Sequence, residues 1–120
     1  MSTGRIWLLV DINIHDGKFA EFEAIVKQMV AVSERELGTL AYRFFLSSDR
    51  KRCRLVEGYT DVAAITAHFM GAAVQQFVPQ MMQSASPTRM EFYGDPGQQV
   101  AAMAAPFAAE VFTAWEGFDR

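Results

Sequence analysis

Between Arg5 and Ile14 the side chains alternate with a period of two. Ile6, Leu8, Val10, Ile12 and Ile14 take one parity, and Trp7, Leu9, Asp11 and Asn13 the other. Both parities begin apolar, which predicts a strand covered on both faces, by helices on one side and by something else, such as a partner subunit, on the other. Past a turn at His15-Asp16-Gly17 the period lengthens. Phe19, Phe22, Val26, Met29, Val30 and Leu37 recur at helical spacing, with Lys18, Glu21, Glu23, Lys27 and Glu34 around the rest of the wheel. His15-Asp16 is placed to cap this first helix, and Gly38 to end it in a left-handed cap. Thr39 to Ser47 alternates again, the polar turn Ser48-Asp49-Arg50-Lys51 follows, and Arg52 to Tyr59 returns, so the two strands read as a hairpin. Asp61 can cap a second helix with Ile65, Phe69, Ala72 and Ala73 on one face, Gly71 as a kink and Pro79 at a break. Ser86 to Gly94 reads as a fourth strand, followed by the turn Asp95-Pro96-Gly97 and a helix from Gln98 to Ala105 closed by Pro106. Phe107 to Trp115 fits both a strand and a helix, and we read it as a strand.

The order β-α-β-β-α-β, with a C-terminal helix and strand, is the split βαβ arrangement of an α+β, ferredoxin-like domain. With 120 residues, 51% of them hydrophobic, the chain suits a single domain over 1–120, with a core from 5 to 94 and an extension from 95 to 120. Two helices on one face of the sheet leave its other face a large apolar patch, for which sheet-against-sheet dimerisation is the natural cover. Lys and Arg total 11 against 14 Asp and Glu, so the net charge of −3 gives no electrostatic reason to bind nucleic acid or an anionic membrane. The apolar run at Ile6 to Val10 is too short to span a membrane and lacks a small-residue cleavage site. The lone Cys53 excludes an internal disulfide and a multi-thiolate metal site, and together these features point to the cytoplasm.

The residues able to do chemistry gather where the third strand passes into the second helix. His68 lies at the border of the apolar helix face, and an imidazole can accept a proton from a phenol or quinol near neutral pH. Its plain structural role would be a half-buried histidine bonded to a carbonyl. Glu57 shares a strand parity with Cys53, Leu55 and Tyr59. If that side faces the core, its carboxyl must be paired or protonated, either orienting a histidine or ligand hydroxyl or forming an ion pair with an arginine such as Arg43. Tyr42 and Tyr59 offer phenol donors, Phe44, Phe45 and Phe69 could stack on a planar ring or simply fill the core, and Asp11 could line a pocket mouth or be solvated at a strand end. The two histidines have no HxH, HxxxH or HExxH spacing, so no metal is expected. No glycine-rich nucleotide loop is present either.

Gly38-Thr39-Leu40-Ala41-Tyr42-Arg43-Phe44, the strand end Glu57-Gly58-Tyr59, Asp61-Val62-Ala63-Ala64 with His68 seven residues after Asp61, and Phe92-Tyr93-Gly94 together resemble the antibiotic biosynthesis monooxygenase family over roughly 5–94. The resemblance implies a homodimer whose sheets face one another to form a dimeric α/β barrel, with a ligand crevice between sheet and helices in each subunit. Well-studied members oxygenate phenolic or quinol polyketides with molecular oxygen and no flavin, haem or metal. Relatives of the same fold degrade haem, isomerise lactones or exchange signalling metabolites. The haem-degrading branch uses an asparagine in the first strand and a tryptophan and a histidine in the second helix. Asp11, His68 and Val78 fall at or near those positions here, which speaks against haem.

The expectation is a cofactor-independent monooxygenase acting on a small aromatic, quinol-like compound. His68 would be the base, and Tyr42, Arg43, Phe45, Glu57, Tyr59, Phe69 and Asp11 would surround the substrate. The alternatives are a non-catalytic dimeric ligand-binding or structural module, and an isomerase or lyase that uses the same base without oxygen.

Overall fold

The structure, a computed structural model, describes residues 4–120. It is organised on β1 (Ile6–Ile14), which pairs antiparallel with β3 (Arg52–Tyr59) on one side and with β4 (Ala85–Tyr93) on the other. β2 (Thr39–Leu46) adds antiparallel to β3, and the short β5 (Glu110–Phe112) runs parallel to β4, giving the order β2-β3-β1-β4-β5. The fold is therefore the expected α+β, ferredoxin-like one. No helix among the described residues is long and apolar enough to cross a membrane.

One face of the sheet carries the core. Ile6, Leu8, Val10, Ile12 and Ile14 are all buried there, beside Cys53, Leu55, Glu57 and Tyr59 of β3. Against them lies α1 (Phe19–Glu34), whose buried Phe22, Met29 and Ser33 follow the seven- and four-residue spacings of one helical face. The helical layer continues with α2 (Val62–Met70), a π-helical turn at Ala73–Phe77 and the short α3 (Val78–Met81), then α4 (Gln98–Ala104) and a 3-10 turn at Ala105–Phe107. Asp61 caps α2 as expected, its carboxylate accepting from the Ala64 N–H at 2.9 Å.

Three local expectations are corrected. α1 ends at Glu34, so Leu37 lies beyond it, fully exposed. Gly38 is not a left-handed cap, since the described glycines with positive φ are Gly17, Gly94, Gly97 and Gly117. Its role is steric: a Cβ at Gly38 would fall on the Cβ of Ala64, so the missing side chain lets α2 close onto the start of β2. His15 does not cap α1 through its ring, which instead meets the Ser86 hydroxyl at 2.7 Å across the sheet end.

β4 contains an irregularity that shapes the interior. Its pairing with β1 shifts between Asp11 and Ile12, so that Asp11 faces Arg89 and Ile12 faces Pro87, leaving Thr88 as the extra residue. A proline is tolerated in a strand at such a point, where a ladder hydrogen bond is already lost. The bulge also reverses parity, and Pro87 and Met90 both turn to the helical side although they are an odd number of residues apart.

The opposite face is less uniformly apolar than the sequence predicts. Trp7, Leu9 and Val56 are half-buried and Phe45 is exposed, but among them Asp11 pairs with Arg54 at 2.9 Å and Arg89 at 3.6 Å, and Arg89 with Glu91 at 2.8 Å.

The contact at Gly38 is testable. Gly38→Ala should cost about 1–3 kcal/mol by overpacking, and measurably less in an Ala64→Gly background, as read from urea midpoints. Equal costs in both backgrounds would refute the close approach.

Candidate functional site

Between the core face of the sheet and the helices lies a cavity of ≈ 410 Å³, within the range of small-molecule sites. Most of its wall is apolar and soft: Met29, Met81, Met82, Met90 and Met103 line it together with Phe69, Phe107, Val74 and Val78. Methionine side chains bend to fit irregular or planar guests. The ionisable groups on this wall are Tyr42, Glu57 and His68, and they stand together.

His68 sits in the last turn of α2. The helix stops two residues later at Met70, and Gly71, with extended backbone, donates its N–H to the His68 carbonyl at 3.0 Å. The imidazole is buried with both nitrogens facing carboxyls. Nδ1 lies 2.7 Å from Oε1 of Glu36, and Nε2 lies 3.6 Å from Oε1 of Glu57. A Cβ at Gly71 would come within 3.4 Å of Glu36 Oε2, so the glycine keeps open the space through which that carboxyl reaches the ring. The Thr39 hydroxyl donates to the same Glu36 oxygen at 2.7 Å, and the Tyr59 hydroxyl donates to Glu57 Oε1. The result is a continuous polar chain, Thr39–Glu36–His68–Glu57–Tyr59, running from the half-buried end of β2 into the core. The rings of Tyr42 and Tyr59 flank the imidazole at centroid distances of 5.2 and 5.4 Å.

Burial raises the Glu57 pKa, and the adjacent His68 only partly offsets this. Both neighbouring phenols are held protonated, Tyr42 and Tyr59 being pushed well up by burial first and by the Glu57 charge second. The wall thus offers a carboxyl inclined to hold a proton, an imidazole and the Tyr42 phenol, facing a space from which most water-binding groups are absent.

Of the residues singled out in the sequence, His68, Tyr42, Glu57 and Phe69 meet at this cavity. Tyr59 stands behind Glu57 and is completely buried, so it holds the carboxyl without lining the space. Arg43, Phe45 and Asp11 do not join them. Arg43 pairs with Val56, Phe45 with Arg54, and Asp11 with Arg54 and Arg89, all on the opposite face of the sheet, because strand side chains alternate and these belong to the other parity. For the same reason the ion pair between Arg43 and Glu57 does not form. Cys53 is buried mid-strand, where desolvation pushes its thiol up to about 11, which makes it a poor nucleophile.

The sequence reading missed Glu36. It lies in the turn after α1, outside any periodic pattern, and only the Glu-x-x-Thr spacing to Thr39 distinguishes it from the neighbouring Glu34. Met103 and Phe107 were missed as cavity residues because they belong to the C-terminal extension.

Two measurements check these electrostatics. In an alkaline absorbance titration of the three tyrosines, Tyr93 should ionise first, while Tyr42 and Tyr59 should ionise only as the protein unfolds. For Glu57, the folded state holds its proton to higher pH than the unfolded chain does. Wild type should therefore lose stability relative to Glu57→Gln as pH rises from the ordinary carboxyl value of 4.5 through the raised folded value. Parallel stability curves for the two proteins would contradict the assignment.

The sequence model of the antibiotic biosynthesis monooxygenase family matches residues 6–80. Among solved structures, MupZ from Pseudomonas fluorescens superposes with a TM-score of 0.82 at 18% identity, covering 97% of this chain and 94% of that one. A protein from Shewanella oneidensis is 25% identical, with a TM-score of 0.65 and coverage of 77% and 91%. SnoaB, a cofactor-independent oxygenase from Streptomyces nogalater, gives a TM-score of 0.66 at 14% identity, covering 78% of this chain and 95% of that one. The search of curated proteins returned no match. The family match extends over more than half of the chain and contains β1 through α2 with His68, Glu36 and Glu57, so this chain belongs to the antibiotic biosynthesis monooxygenase family.

Proposed function

We propose that the chain is a cofactor-independent monooxygenase that binds a fused aromatic phenol or quinol in the cavity and oxidises it with molecular oxygen. The observation that carries this reading is the Glu36–His68–Glu57 cluster set into an otherwise apolar wall. Family membership and the likeness of fold to a cofactor-independent oxygenase support it.

A phenol becomes a one-electron reductant strong enough for oxygen only after losing its proton, so the site must accept that proton and tolerate the anion. Glu36 faces Nδ1 and thereby favours the tautomer with a proton on that nitrogen, leaving Nε2 as the acceptor, as an orienting carboxylate does for other catalytic histidines. The proton then resides in the pair formed by His68 and Glu57. The protonated Tyr42 phenol supplies a hydrogen bond to the developing oxyanion. For anthrol as substrate, one atom of oxygen becomes a new ring carbonyl and the other leaves as water, with all four electrons drawn from the ring and its hydroxyl. Enclosure by methionine and phenylalanine side chains keeps bulk water from the reactive anion.

The mixed outer face of the sheet, with Trp7, Leu9, Val56 and Phe45 among its ion pairs, is the surface that would pair with a second copy. The cavity lies on the other side and is lined without it.

One observation favours a second reading. Both ring nitrogens of His68 already face carboxyls, as they would in a binding module whose polar groups satisfy one another. Oxygen-electrode assays with anthrol and naphthoquinol separate the two. Wild type should consume oxygen, and His68→Ala should lower kcat/KM by about 10²- to 10⁴-fold, the usual contribution of a positioned base. Binding without oxygen uptake would favour the module. Unchanged rates in His68→Ala would remove the imidazole from the chemistry.

A further inference from the structure

The family match stops at residue 80, yet the cavity does not. Its far wall comes from the C-terminal segment, and the arrangement of that segment says which end of a ligand it meets. α4 and the 3-10 turn that continues it present two neighbouring stripes. Val100 and Ala104, four residues apart, are completely buried and anchor the helix, while Met103 and Phe107, also four apart, are half-buried and line the cavity.

Both ends of the segment are fastened. At its start Gly97 has φ of 87°, and a Cβ there would come within 2.8 Å of the Val62 side chain, so the chain turns tightly against α2. At its end β5 pairs with β4, and the Gly94 N–H donates to the Phe112 carbonyl at 2.8 Å. Met103 and Phe107 are thus held by a strap tied on both sides, and a free tail could not fix them in this way.

The strap lies across the sheet from the polar groups. Tyr42 and Glu57 stand on β2 and β3, whereas the 3-10 turn carrying Phe107 packs on β4, beyond β1 in the sheet order. Strands are spaced about 4.8 Å apart, so β3 and β4 are separated by roughly 10 Å and β2 and β4 by roughly 14 Å. That is the span of a fused polycycle and exceeds that of a single ring.

We propose that Met103 and Phe107 are the specificity-determining residues of this site, a fixed end wall that sets how many fused rings a ligand anchored at Tyr42 and Glu57 can have. The orientation of the ligand rests on the reading given under Proposed function. The size limit rests on the cavity alone.

The experiment measures dissociation constants from ligand fluorescence for 1-naphthol and 1-hydroxypyrene, and for the bare hydrocarbons naphthalene and pyrene, with the full chain. Phe107→Trp and Met103→Trp each shorten the space and should weaken the pyrene-sized pair by about tenfold or more while changing the naphthalene-sized pair little, a discrimination typical of a filled apolar pocket. Phe107→Ala should shift the preference towards the larger pair. Size-dependent losses in either tryptophan variant support the wall, so failure of one variant to fold leaves the other to decide. Equal changes for small and large ligands in the folded variants would overturn it, as would failure of wild type to take up any of the four. If the size effect is seen but phenols bind no better than bare hydrocarbons, the wall stands and the phenol-oxidising reading falls.

Discussion

A carboxyl buried on the core face of a central strand has to be satisfied by the protein, and Glu57 imposes that requirement on everything around it. Leaving an ionised carboxylate alone in such a place costs several kcal/mol, so the group must be paired or hold its proton. Tyr59 answers from the same strand two residues on, His68 from the end of α2, and Glu36 from the turn after α1 answers His68 in turn. The end of β3, the end of α2 and the turn after α1 are thereby fixed relative to one another. The close approach of α2 to Gly38, and the space left by Gly71, are the steric conditions for that convergence.

The cavity exists because the layers do not close over this cluster. α2 breaks at Gly71, continues as a π-helical turn and restarts at Val78, with the Gln75 side chain donating to the Phe69 carbonyl at 2.9 Å to satisfy part of the interrupted ladder. Such irregular turns recur at functional sites because they displace side chains from the places a regular helix would give them. Across the space, the bulge at Thr88 swings Pro87 and Met90 to the same side. Two departures from regular structure, one in each layer, create the room, and methionines line it without filling it.

The two faces of the sheet divide the chemistry. The helical face gathers Tyr42, Glu57 and Tyr59, each of which burial makes readier to hold its proton. On the outer face Asp11, Arg54, Arg89 and Glu91 pair at the surface, with part-buried carboxylates meeting exposed guanidinium groups. Residues adjacent in sequence, such as Tyr42 and Arg43, belong to these different worlds.

The sequence alone determined the element order, the apolar parity that β1 buries and the capping of α2, because each is written in local periodicity or in a single side chain next to its backbone partner. It also brought out His68, Glu57, Tyr42 and Phe69, since an ionisable or aromatic residue on an otherwise apolar parity stands out without coordinates. What the tertiary structure decided is which parity faces the helices and what approaches from elsewhere in the chain. Arg43, Phe45 and Asp11 were removed from the site by strand register, which no single strand encodes by itself. Glu36, Met103 and Phe107 were added because a turn and a C-terminal helix, featureless in isolation, are carried by packing to the edge of a space that only the assembled layers enclose.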